Sequence, residues 1–401
     1  MFLPYGKHSI DDDDVAAVAA VLRSEYLTTG PAVPAFEAAL ATRTGGREAV
    51  ACASGTAALH LAALGLELGP DDVVIVPAIT FMATANGPAL AGARVVFADV
   101  DPTTGLLGPD ELEEALSRAR ARGRPRAVFA VHLNGQCAPM ASLADVAKRH
   151  GIAVVEDAAH AIGGAVNDDD GNPVPVGACR WSDLTVFSFH PVKTITMGEG
   201  GAITLNDGEM AERLRRLRNH GITRDPAAFR DQDRATAPNG QVNFWYHEMQ
   251  ALGLNYRASD IHCALGRSQL AKLDRFVTRR RELVALYETA LEALAPTVRP
   301  VRRLPDQRPA WHLMAVLVDF VGAEVDRNTV MTRLRERGIG AQVHYIPVPL
   351  QPYWDKRVDT PELPGASAYY ERVLSLPLFA AMGEADVERV VAALSWAITA
   401  G

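Results

Sequence analysis

Between residues 48 and 205 short apolar runs alternate with stretches in which apolar residues recur every three or four positions. The runs lie at Ala49 to Ala53, Val73 to Val76, Arg94 to Ala98, Ala127 to Val131, Ile152 to Glu156, Leu184 to Phe189 and Ala202 to Leu205. They are rich in Val, Ile and Ala and nearly continuous, the pattern of strands buried on both faces. Helical stretches such as Ala57 to Leu64, Pro109 to Ala121 and Ser142 to His150 separate most of them. The pattern therefore predicts an α/β fold with a mainly parallel, seven-stranded sheet flanked by helices. Ligands of such sheets gather at the carboxyl ends of the strands.

The flanking segments complete the plan. A helix is expected from about Asp11 to Leu22, with Ser9 as its N-cap and the acidic run Asp11 to Asp14 serving the helix dipole. A charged stretch around Asp225 to Arg234 reads as a surface loop. Helices follow at Ser259 to Leu270 and from about Lys272 to Leu294. A smaller C-terminal α/β unit is expected beyond, with strands at Leu313 to Phe320 and Gly340 to Tyr345 and helices at Asn328 to Arg337, Ala366 to Leu374 and Glu384 to Thr399. We place the domain boundary at 260/261.

At 401 residues the chain is long enough for more than one domain, and its formal net charge of -8 without a basic block argues against nucleic acid as the main partner. No apolar run is long enough to span a membrane, and the N-terminus lacks the features of a signal peptide, so a cytoplasmic location is expected. The four cysteines, Cys52, Cys137, Cys179 and Cys263, form no Cys-x-x-Cys metal cluster, and no metal site is expected.

Candidate chemistry collects at predicted strand ends. Lys193 lies on a loop between two strands, with Pro191 before it and Gly198, Gly200 and Gly201 after it, a backbone that a flat group could approach. A solvated loop lysine is the plain alternative. At Ser54, Gly55 and Thr56 a strand turns straight into a helix, which makes either a phosphate site or an ordinary N-cap. Asp157 ends a strand, as a cap or as the ion partner of a cationic ring; Ser188 adds a hydroxyl, or is a buried Ser bonded to backbone. Pyridoxal phosphate needs a Lys for a Schiff base, an acid for its ring nitrogen and a cup for its phosphate. Phe81, after VVIVPAIT, is the candidate plate for the ring face.

The segments ASGTAAL, PAITFMATANG, VVEDAAHAIG, FSFHPVKTITMGEGGA, LGLNYRASDIHCALGRSQL and ASAYYERVLSLPLF resemble the DegT/StrS family of fold type I, pyridoxal-phosphate-dependent nucleotide-sugar aminotransferases. The resemblance spans nearly the whole chain. It implies Lys193 as Schiff-base lysine and proton shuttle, Asp157 on the ring nitrogen, His160 near the ring hydroxyl and Phe81 on the ring face. Ser54, Gly55, Thr56 and Ser188 would cup the phosphate, and Asn255 from the second subunit of a homodimer would complete the cup. Tyr5, Thr28, Thr29, His344 and Tyr345 are expected to wall the sugar site, with packing between domains as the alternative for the Tyr and His residues.

The opening LPYGKHSIDDDDVAAVAAVLRSEYLTTGPAVPAFE, the loop FHPVKTITMGEGG and GAQVHYIPVPLQPYW are most similar to the branch that makes a pseudaminic acid precursor. That branch moves the amine of L-glutamate to C4 of a UDP-linked 4-keto sugar. Met197 stands where the branch is expected to carry Thr. A dehydratase branch uses the same cofactor but carries His in place of the Schiff-base Lys. A non-catalytic cofactor-binding regulator would be expected to add a DNA-binding motif or a basic face, and neither is present.

Overall fold

The computed structural model describes residues 2–357 and 361–400. Seven strands form the central sheet: β1 (Glu48–Cys52), β2 (Asp72–Pro77), β3 (Arg94–Ala98), β4 (Arg124–Val131), β5 (Ala153–Asp157), β6 (Leu184–Ser188) and β7 (Gly201–Leu205). Their order across the sheet is β1-β7-β6-β5-β4-β2-β3, and only β7 runs against its neighbours. Every residue of β2 and of β7 is buried, which explains why these runs carry no polar alternation. Helices Gly55–Gly65, Pro109–Arg120 and Met140–His150 turn their apolar stripes onto the sheet and bury Leu61, Leu116 and Leu143.

The long helix Leu273–Leu291 leads to a second core. There an antiparallel sheet of β8 (Val298–Pro300), β9 (Met314–Val318) and β10 (Val373–Leu376) is covered by helices Arg327–Glu336 and Glu384–Thr399. Val316, Leu334, Leu374, Val390 and Leu394 meet there with Tyr287 of the long helix. Among the described residues no helix is long and apolar enough to cross a membrane.

Three expectations are corrected. The N-cap of the first helix, Asp12–Leu22, is Asp11 rather than Ser9: its carboxylate accepts from the N–H of Asp14, and the Asp14 carboxylate accepts from the N–H of Asp11 at 3.1 Å. Lys272 pairs with both acids, so the acidic run serves the helix start and a tie to the long helix. Residues 340–345 form no strand. Their backbone pairs with β10 at one bridge, Gln342 to Ser375, beside which His344 Nδ1 lies 2.8 Å from the Ser375 hydroxyl, and His344 and Tyr345 line the wall of a cavity. The helix expected to reach Leu374 ends at Arg372, because Val373 and Leu374 pair with β9. The charged stretch near residue 230 is exposed and carries two short helical turns, Pro226–Ala228 and Gln232–Ala235.

Candidate active site

The carboxyl ends of β1, β2, β4, β5 and β6 open into one cavity of about 560 Å³. Ser54 N-caps helix Gly55–Gly65, its Oγ accepting from the N–H of Ala57 at 3.1 Å. The first N–H groups of a helix have no partner within it and carry the positive end of the dipole. Capping and anion binding are thus compatible here, and Ser54, Gly55, Thr56 and Ser188 all line the cavity. A Cβ on Gly55 would stand 2.8 Å from the Cβ of Ser188. One on Gly201, at the start of β7, would stand 2.3 Å from the Ser54 carbonyl oxygen. Both glycines are needed for the helix start to sit against β6 and β7.

Asp157 ends β5 with its carboxylate buried under the cavity floor. Its Oδ1 accepts from the N–H of Ala159 at 3.1 Å, and its Oδ2 from the hydroxyl of Thr84 at 2.7 Å. Thr80 lies 2.7 Å behind Thr84. The same turn after β2 places Phe81 half exposed on the cavity wall, its ring centroid 6.0 Å from that of Tyr345.

Lys193 faces the cavity from a tight turn closed by its N–H to the carbonyl of His190 at 2.9 Å. Burial lowers its amine to about 8, against the opposing pull of Asp157. Burial first, and then the Lys193 charge, push His160 well below the usual imidazole range, and the same two causes take His344 down to about 3. His312 is lowered in the same direction, by burial first and next by His160, whose ring centroid is 4.5 Å away. Tyr345 brings its hydroxyl to 3.1 Å from His160 Nε2, and burial raises its phenol. When that hydroxyl donates, the imidazole proton sits on Nδ1, a buried atom with no protein partner.

The cavity thus gathers Tyr5, Ser54, Gly55, Thr56, Phe81, Asp157, His160, Ser188, Lys193, His344 and Tyr345 from the expected set. Thr28, Thr29 and Asn255 are exposed and stand outside it. Asn255 belongs to the segment whose next carbonyl, that of Tyr256, accepts from the N–H of Ala53 at 2.8 Å beside the helix start. Thr80, Thr84 and His312 were not expected. Thr84 had one signal, its place three residues after Phe81 at the start of the helix Ala83–Leu90, and His312 had none.

Three observations bear on whether pyridoxal phosphate suits these residues. A helix start is kept clear of Cβ atoms, a carboxylate and an amine of lowered basicity face one space, and a buried imidazole nitrogen lacks a partner. Each matches a different part of the molecule: phosphate, ring nitrogen and aldehyde, ring hydroxyl. The DegT/DnrJ/EryC1/StrS aminotransferase family profile matches residues 8–395. The chain belongs to this family.

This sugar aminotransferase uses pyridoxal phosphate, the family's cofactor. It is similar in structure to Helicobacter pylori PseC, an aminotransferase involved in the biosynthesis of pseudaminic acid, with a TM-score of 0.87, 27% identity and 100% of both chains covered. It is also similar to the sugar aminotransferase CalS13 of Micromonospora echinospora, with a TM-score of 0.83, 29% identity and 100% of both chains covered. Spr1654 of Streptococcus pneumoniae, solved in its PMP form, superposes with a TM-score of 0.87 at 27% identity over 99% of both chains. The aminotransferase thus has the fold type I architecture, with Lys193 at the carboxyl end of its sheet.

Proposed function

We propose that this aminotransferase moves the amino group of L-glutamate to C4 of a UDP-linked 4-keto-6-deoxy-N-acetylhexosamine, the amination step of pseudaminic acid synthesis. It does so in the cytoplasm as a homodimer with shared active sites. The observation that carries the catalytic part is the convergence of Lys193, Asp157 and the Ser54 to Thr56 helix start on one cavity. The full-length likeness to PseC supports the choice of sugar.

Bound pyridoxal phosphate supplies an electron sink for the carbon that gains or loses its amine. The chain's own residues do the rest. The N–H groups at the start of helix Gly55–Gly65, with Thr56 and Ser188, hold the phosphate. Asp157 would face the ring nitrogen, Phe81 would cover a ring face, and His160 would donate from Nδ1 to the ring hydroxyl. Lys193 Nζ, whose amine burial lowers to about 8, would take the α-proton of glutamate and hold it for return to the bound group. In the second half of the cycle the same amine would deliver a proton to C4 of the sugar. The exposure of Asn255, Thr28 and Thr29 fits their service to the cleft of a second copy, while Tyr5, His344 and Tyr345 serve the sugar from within the chain.

The alternative is another nucleotide keto sugar, dTDP-linked or aminated at C3; a cofactor-binding regulator would give no turnover. Incubation with glutamate and a panel of UDP- and dTDP-linked keto sugars, read by mass spectrometry, separates them. An amino sugar from the UDP-linked 4-keto substrate is expected. Product from dTDP-linked sugars alone would sink the proposal.

A further inference from the structure

The hydroxyl chain behind Asp157 has a direction. Thr84 Oγ1 lies 2.7 Å from Asp157 Oδ2 and 3.1 Å from the carbonyl oxygen of Phe81, and it has one proton to give. The shorter contact, to the charged oxygen, takes it. Thr80 Oγ1, at 2.7 Å, must then donate to Thr84. Thr84 is fully buried and Thr80 nearly so. Asp157 therefore receives two chain donors, the N–H of Ala159 on one oxygen and the Thr84 hydroxyl on the other. Its remaining lone pairs are left for the cavity it lines. Thr80 lies in the turn with Phe81, and Thr84 in the first turn of the helix Ala83–Leu90 that follows, so one short segment after β2 supplies the wall of the cavity and the support of its carboxylate.

We propose that Thr84 is a positioning residue for transamination: its hydroxyl, backed by Thr80, aims the Asp157 carboxylate and holds its negative charge opposite the cofactor's ring nitrogen. The inference rests on the assignment of Asp157 made above. The physical argument is one of competition for a proton. A carboxylate that accepts fewer hydrogen bonds is more basic, and it draws more of the shared proton away from the ring. The ring then carries less positive charge and repels a proton at the Lys193 end less strongly. Loss of the Thr84 hydroxyl therefore moves the titration of the visible absorption band upward in pH. A packing role alone would lower stability and leave the band where it is.

The test compares wild type with Thr84→Val, Thr84→Ser, Thr80→Val and Asp157→Asn. Each apoprotein is reconstituted with pyridoxal phosphate, its affinity measured, and its visible band titrated with pH. Val preserves the shape of Thr without the donor, and Ser preserves the donor. Thr84→Val is expected to bind the cofactor about tenfold more weakly, the scale of one hydrogen bond to a charged group. Its band should titrate about half a unit or more higher. Thr84→Ser should match wild type, and Thr80→Val should shift the band the same way by less. The proposal is overturned if Thr84→Val titrates like wild type while Asp157→Asn does not, or if Thr84→Ser behaves like Thr84→Val. An Asp157→Asn protein that titrates like wild type overturns the Asp157 assignment itself, and this inference with it. Should Thr84→Val fail to fold, the Thr80→Val shift decides, and its absence overturns the proposal.

Discussion

The Tyr345 hydroxyl lies 3.1 Å from Nε2 of His160, joining a residue of the C-terminal half to one at the end of β5 across the cavity. Tyr345→Phe removes that bond without opening a cavity. A buried neutral hydrogen bond contributes about 1 kcal/mol, so a small loss of apoprotein stability is expected. Because His160 then has no protein partner on either nitrogen to fix its ring, the larger effect should fall on cofactor affinity. Thermal melts with and without pyridoxal phosphate measure both, and an unchanged gap between the two melts would count against the contact.

The pH dependence of cofactor capture follows from Lys193. Capture by the apoprotein needs the neutral amine, which burial makes available from about pH 8 instead of the ordinary lysine range. The capture rate should rise with pH through about 8 and level off above it. For stability the sign is also set: the folded chain holds this proton less tightly than the unfolded chain does. Apoprotein stability should therefore rise with pH between about 8 and the ordinary lysine value of 10.5. Lys193→Met should abolish that rise in urea titrations.

Gly55 was legible in the sequence as a turn residue, but the need for it comes from Ser188, whose Cβ would be 2.8 Å from a new methyl carbon. Gly55→Ala should keep the fold, since the position starts a helix, and force β6 and the helix start apart. Equilibrium dialysis should show cofactor binding weakened about tenfold or more, or about 1.4 kcal/mol.

The strand ends that hold Ser54, Asp157 and Lys193 could be read from the sequence because each follows a continuous apolar run with a glycine or small residue after it. Thr84 and His312 could not. Each gains its role from one neighbour far away in the chain, Asp157 and His160, and no local pattern encodes that. The strand expected at residues 340–345 failed for a related reason. Its alternation of apolar and polar residues is genuine, yet it places His344 and Tyr345 in a cavity wall rather than along β10.

Shared sites give a mixing prediction. If Asn255 serves the second copy's phosphate, Lys193→Ala and Asn255→Ala chains are each impaired, yet a mixed dimer carries one intact site. Mixing the two after partial unfolding and refolding should restore about a quarter of wild-type turnover, as random pairing puts half the chains in mixed dimers with one good site in two. No gain over the unmixed Asn255→Ala protein would place Asn255 outside the shared cleft.

Lys193 is proposed as the amine that carries the reaction. Reconstituted protein is mixed with L-glutamate in the absence of any sugar, and the visible band and released 2-oxoglutarate are followed together. Wild type should lose the band and release 2-oxoglutarate in step with its cofactor content, while Lys193→Ala should do neither at a comparable rate. Full turnover by Lys193→Ala would contradict that role.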